Sequence, residues 1–143
     1  MTLSQAVSER HSCRTYTGEP LAANQTEALS AQIAGYNETE GLSMRVVEDA
    51  SAAFHGFKSY GMFKGVRTVI QLACGTRDPH GKEKLGYYGE LTVLTATAMG
   101  LGTCWVAGSY GRKDDAFQCA EGFETACVLA VGFCYGAGQR PSP

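Results

Sequence analysis

Arg10, His11, Ser12 and Arg14 stand within five consecutive residues of a chain whose formal net charge is −2. Two guanidinium groups can each grip an oxyanion through paired N–H donors, and a serine hydroxyl between them adds another donor. The stretch Ser8–Tyr16, SERHSCRTY, is therefore a candidate phosphate or oxyanion site. A second reading is the one that spacing alone favours. Arginines also favour the C-terminal end of a helix, where they stay solvated and meet the negative end of its dipole. Spacing alone leaves both readings open.

Other chemistry finds less support. No G-x-S-x-G elbow is present, and no serine or cysteine has a histidine partner evident from spacing. Cysteines occur at 13, 74, 104, 119, 127 and 134, with no C-x-x-C pair and no histidine at ligand spacing, so no metal site is expected. With no secretory start, these cysteines are expected to be reduced, mostly buried small apolar residues. Cys104, beside Trp105 and Val106, reads as an unreactive buried thiol. The 18 glycines, roughly twice the usual share, gather in YGMFKG, GYYGE, GLGTCWVAGSYG and GFCYGAGQ. Glycine clusters mark tight turns or close approaches of backbone to something else. GLGTCWVAG follows a helix and precedes a strand, the reverse of the order a dinucleotide fingerprint needs. YGMFKG and GYYG pair aromatics with glycine, which suits either a flat ligand or a packed turn.

These residues must be positioned by a single domain, since 143 residues bury one sizeable core and not two. The small net negative charge argues against a nucleic-acid partner, and no apolar run is long enough to span a membrane. A cytoplasmic protein is the expectation. Thr2–Arg10 reads as a short helix with a capping box from Thr2 to Gln5 and an apolar stripe of Leu3, Ala6 and Val7. A second helix is predicted from Asn24 to about Ala34, ending near Gly35. Strands are predicted at Ser43–Glu48, Thr68–Cys74, Cys104–Ala107 and Cys127–Tyr135, with TVIQLAC central because it is apolar nearly throughout. GTRDPHGKEK reads as a surface loop, Leu85–Met99 as a buried helix stopping at Gly100, and Asp114–Ala120 as a further helix. Helices and strands mix without βαβ alternation, which favours α+β.

Taken together, these pieces resemble the nitroreductase family of flavin enzymes. AVSERHSCRTY is similar to that family's A-x-x-x-R-x-S-x-R-x-[YF] opening. SYGMFKGVRTVIQL, KLGYYGE and GLGTCWVAGSY follow in order, and VLAVGFCYGAGQRPSP resembles the closing strand and R-P tail. The resemblance spans nearly the whole chain. It implies a mostly antiparallel or mixed central sheet flanked by helices, binding FMN. By position, Arg10 would meet the FMN phosphate, His11 and Ser12 would lie at the same site with Ser12 as hydroxyl donor, and Arg14 would lie near the flavin N1/O2 edge. A cation there stabilises negative charge developing on that edge. The backbone of Ala107 and Gly108 would approach N5 and O4, and Arg140 would add a second phosphate contact. The implied activity is NAD(P)H-dependent reduction of nitroaromatics, quinones or similar small acceptors, in a homodimer or with a complementary partner chain.

One departure stands out. Where relatives carry N-x-Q-P-W before the first strand, this chain reads YNETEGLSMRVVE. Relatives in the resembling branch continue into a second half, and this sequence stops at Pro143, which reads as a half-length version. The alternative to an enzyme is therefore a flavin-poor interaction or scaffold subunit of the same fold.

Overall fold

A computed structural model describes residues 1–54, 63–108 and 115–135. Helix α1 spans Leu3–Glu9, and its start is the predicted capping box. Thr2 Oγ1 accepts from the Gln5 backbone N–H at 3.1 Å, and Gln5 Oε1 accepts from the Thr2 N–H at 2.8 Å. Of the expected stripe only Ala6 is buried, while Leu3 and Val7 face outward.

Helix α2 runs over Ala23–Glu40 and so passes through the predicted stop at Gly35. Gly35 has open space around it, and the left-handed residue that ends the helix is Gly41, at φ +67°. Its start also differs from the Asn24 prediction: Gln25 Oε1 reaches back to the Ala22 N–H at 2.9 Å. Tertiary bonds hold the last turns helical. Asn37 pairs with the Met44 backbone in both directions, at 2.8 and 2.9 Å.

Four strands follow: β1 Leu42–Val47, β2 Thr68–Gly75, β3 Gly102–Val106 and β4 Phe123–Gly132. They form one sheet in the order β1-β2-β4-β3, with every pairing between these strands antiparallel. The predicted α+β class is the observed one. Strand β4 begins four residues earlier than predicted and ends before Tyr135. Central β2 is buried on both faces, so its apolar run lacks alternation. Ile70 and Leu72 face α2 and α3 beside Leu29, Ile33 and Val93, whereas Val69 faces Tyr16, Phe54, Val106 and Phe117.

Helix α3, Gly81–Ala98, starts four residues before the predicted Leu85, taking in part of the expected loop. Its first residue packs on β2: a Cβ on Gly81 would lie 2.7 Å from that of Cys74. Asp78 fastens the turn, accepting from the His80 N–H at 2.9 Å and from Lys84 Nζ at 3.0 Å. Inside α3, the hydroxyls of Thr92, Thr95 and Thr97 bond the carbonyls four residues back, which lets polar side chains occupy a buried helix. Gly100, at φ +84°, turns the chain into β3 as predicted. In place of a helix over 114–120 there is one short 3₁₀ turn at Asp115–Phe117. Its carbonyls serve a polar knot around buried Gln71: Gln71 Nε2 donates to Phe117 O at 2.8 Å, and the exposed Arg45 donates through Nη2 to Ala116 O at 2.6 Å. None of the helices among the described residues is long and apolar enough to cross a membrane.

Candidate functional site

The basic cluster leaves α1 at Arg10 and continues as an extended segment laid along the outer edge of β3. Ser12 bridges Thr103 in parallel, with the Cys13 N–H donating to Thr103 O at 2.9 Å. The segment then crosses to a second neighbour. Lys64 N–H donates to Arg14 O at 3.0 Å, and Tyr16 N–H to Lys64 O at 2.8 Å. Thr17 N–H closes the run on Phe133 O at 2.9 Å. Backbone pairing on both sides thus fixes residues 12–17 and covers an edge strand that would otherwise be open.

A covalent tie adds to this. Cys13 and Cys134 form a disulfide, with Cα atoms 6.4 Å apart, where reduced thiols were expected. The sequence offers no local sign of it, because the partners are 121 residues apart and meet only when β4 passes beneath the N-terminal segment. The other cysteines, at 74, 104, 119 and 127, form no disulfide, and Cys104 is buried as predicted. Tyr16 is buried beside this bridge with its ring against Gly132. Among the described residues its phenol has no hydrogen-bond partner, and burial, with nearby Cys104, pushes its pKa well above the usual tyrosine value.

The side chains that could meet a ligand point the other way. Arg10, His11, Ser12 and Arg14 are all exposed. His11 Nδ1 contacts Glu9 O at 3.3 Å. Arg10 Nε lies 3.6 Å from Glu90 Oε1. Lys64, which sequence reading did not single out, is an exposed cation paired with this segment through its backbone. Ala107 and Gly108 follow β3 directly and are exposed, and among the described residues, chain neighbours aside, no atom lies within 4 Å of the place a Gly108 Cβ would take. The fold therefore brings the N-terminal cluster and GLGTCWVAG to one strand, with Ser12 set opposite Thr103. Arg140 lies outside the described residues, as do the first half of YGMFKG and the whole GAGQRPSP tail.

The exposed guanidiniums of Arg10 and Arg14 and the Ser12 hydroxyl lie on this one segment, and the exposed Lys64 is paired with it through its backbone; donors of this kind suit an anion. Fold and site together define an α+β protein whose N-terminal basic segment is pinned beside a glycine-rich edge strand. The chain belongs to the family described as "Putative TM nitroreductase", whose model matches residues 2–142, and so to a family of oxidoreductases. No curated protein matches it by sequence. Among solved structures it is similar to a nitroreductase with bound FMN from Bacteroides fragilis, at 15% identity and TM-score 0.73, covering 100% of this chain and 93% of that one. It is also similar to a nitroreductase family protein from Clostridium novyi, at 13% identity and TM-score 0.71, covering 99% of this chain and 89% of that one. An FMN-dependent nitroreductase from Clostridium difficile aligns at 16% identity and TM-score 0.69, over 90% of this chain and 86% of that one.

Proposed function

We propose that the protein is an FMN-dependent oxidoreductase that uses NAD(P)H to reduce nitroaromatic, quinone or similar small acceptors. The observation that carries this reading is the bridge of Ser12 to Thr103 of β3, four residues before Ala107, with the flanking side chains of Arg10, His11 and Arg14 exposed. Family membership and the FMN named for two structural relatives support the same cofactor. Bound FMN would supply the two-electron redox chemistry. The chain's own residues would bind and orient it: Arg10 and Ser12 would hold the phosphate, with His11 alongside. Arg14 would set a fixed positive charge at the N1/O2 edge, and the amides after Val106 would serve N5 and O4. No side-chain acid or base is needed for this division of labour. The outward Leu3 and Val7 of α1 support assembly as a homodimer, in which a second chain covers apolar surface that α1 leaves exposed.

The test is direct. Purified protein should carry or take up FMN, show a flavin absorbance spectrum, and bleach on anaerobic addition of NAD(P)H. Arg14→Ala should lower both flavin affinity and the reduction rate. A colourless protein that takes up no added FMN would favour the flavin-poor scaffold reading, to which the missing N-x-Q-P-W segment points.

A further inference from the structure

Glu90 belongs to none of the motifs that mark the site, yet it joins two of them. It projects from α3, and its two carboxylate oxygens have different partners. Oε2 accepts from the Trp105 indole N–H at 3.1 Å, and Oε1 faces Arg10 Nε at 3.6 Å. Trp105 comes from β3 and reaches Glu90 because its ring lies across Gly89. A Cβ there would come within 2.6 Å of the indole Cη2. Three elements thus meet at one carboxylate: the end of α1, the middle of α3 and the edge strand.

We propose that Glu90 is a positioning residue that holds Arg10 in place for the flavin phosphate, an assignment that rests on the FMN reading above. The ion pair engages Arg10 through Nε, which leaves the two terminal guanidinium nitrogens for a bidentate grip on phosphate oxygens. A half-exposed pair of this kind contributes little to folding, so stability is a poor account of the arrangement. Its effect is to remove freedom from a long side chain before the ligand arrives, which lowers the ordering cost of binding. The indole N–H draws on the other oxygen and keeps the carboxylate turned toward Arg10.

FMN and riboflavin share the ring and differ in the phosphate, so paired titrations isolate this role. Each is titrated into protein freed of flavin, followed by flavin fluorescence and by quenching of Trp105, the chain's single tryptophan. Wild type should bind FMN more tightly than riboflavin. Glu90→Gln keeps the residue's size and an acceptor for the indole but removes the ion pair. It should weaken FMN binding by about three- to tenfold and leave riboflavin unchanged. Glu90→Ala should repeat the effect, and neither change should add to that of Arg10→Ala. Equal weakening of both flavins, a loss that persists alongside Arg10→Ala, or tighter FMN binding would overturn the assignment. The last outcome would mark Glu90 as a competitor of the phosphate. Wild type that binds neither flavin overturns the flavin reading itself and takes this assignment with it.

Discussion

Gly102 lies so close beneath Cys134 that a methyl in place of its hydrogen would overlap the Cys134 sulfur and stand 2.9 Å from Cys13 Cβ. The glycine opens β3 where the N-terminal segment, the edge strand and the end of β4 cross. Its role is close approach of chains, since the left-handed turn here belongs to Gly100. Gly102→Ala should therefore destabilise the fold by about 3 kcal/mol, read as a lower urea midpoint with an unchanged m value. Gly35→Ala is the control. That helical site is open, and alanine there should stabilise by up to about 1 kcal/mol.

The Cys13–Cys134 bridge closes almost the whole chain into a loop. Denatured protein under non-reducing conditions should show the four thiols of Cys74, Cys104, Cys119 and Cys127, rising to six after reduction. Cys13→Ser should cost about 2–5 kcal/mol of unfolding free energy and loosen residues 12–17, visible as faster amide exchange there than in β2. Six thiols without reductant would show that the two cysteines stay unlinked in solution.

The Tyr88 hydroxyl donates to Glu40 Oε1, tying α3 to the last turn of α2. That bond, with partial desolvation and the nearby carboxylate charge, raises the phenol from its usual 10 to about 12. The folded pKa lies above the unfolded one, so the stabilisation is fully present below pH 10 and disappears as pH rises toward 12. Tyr88→Phe should be less stable than wild type at neutral pH and show a shallower loss of stability across that alkaline window. Parallel denaturant titrations at pH 8 and near the alkaline limit of folding check both points.

Local chemistry was legible in the chain alone. The capping box of Thr2 and Gln5, the central apolar run from Thr68 and the stop at Gly100 all depend on residues within a few positions of each other. The basic cluster was visible too, though composition could not choose between a solvated helix end and a site. The choice between Gly35 and Gly41 was not local. Both glycines can end a helix, and α2 continues because Asn37 is bonded to Met44 and Glu40 to Tyr88. The start of α3 at Gly81 likewise depends on packing against Cys74.

The sequence by itself determined the α+β class, most of the element types and the clustering of cations after α1, because periodicity, capping and side-chain chemistry are written in short stretches. Only the tertiary structure decided that Cys13 meets Cys134 and that Arg10 meets Trp105 through Glu90. Those contacts join positions many residues apart, and loop closure leaves no periodic trace in the intervening chain. They exist because an antiparallel sheet brings β3 and β4 together and the N-terminal segment is laid along their edge.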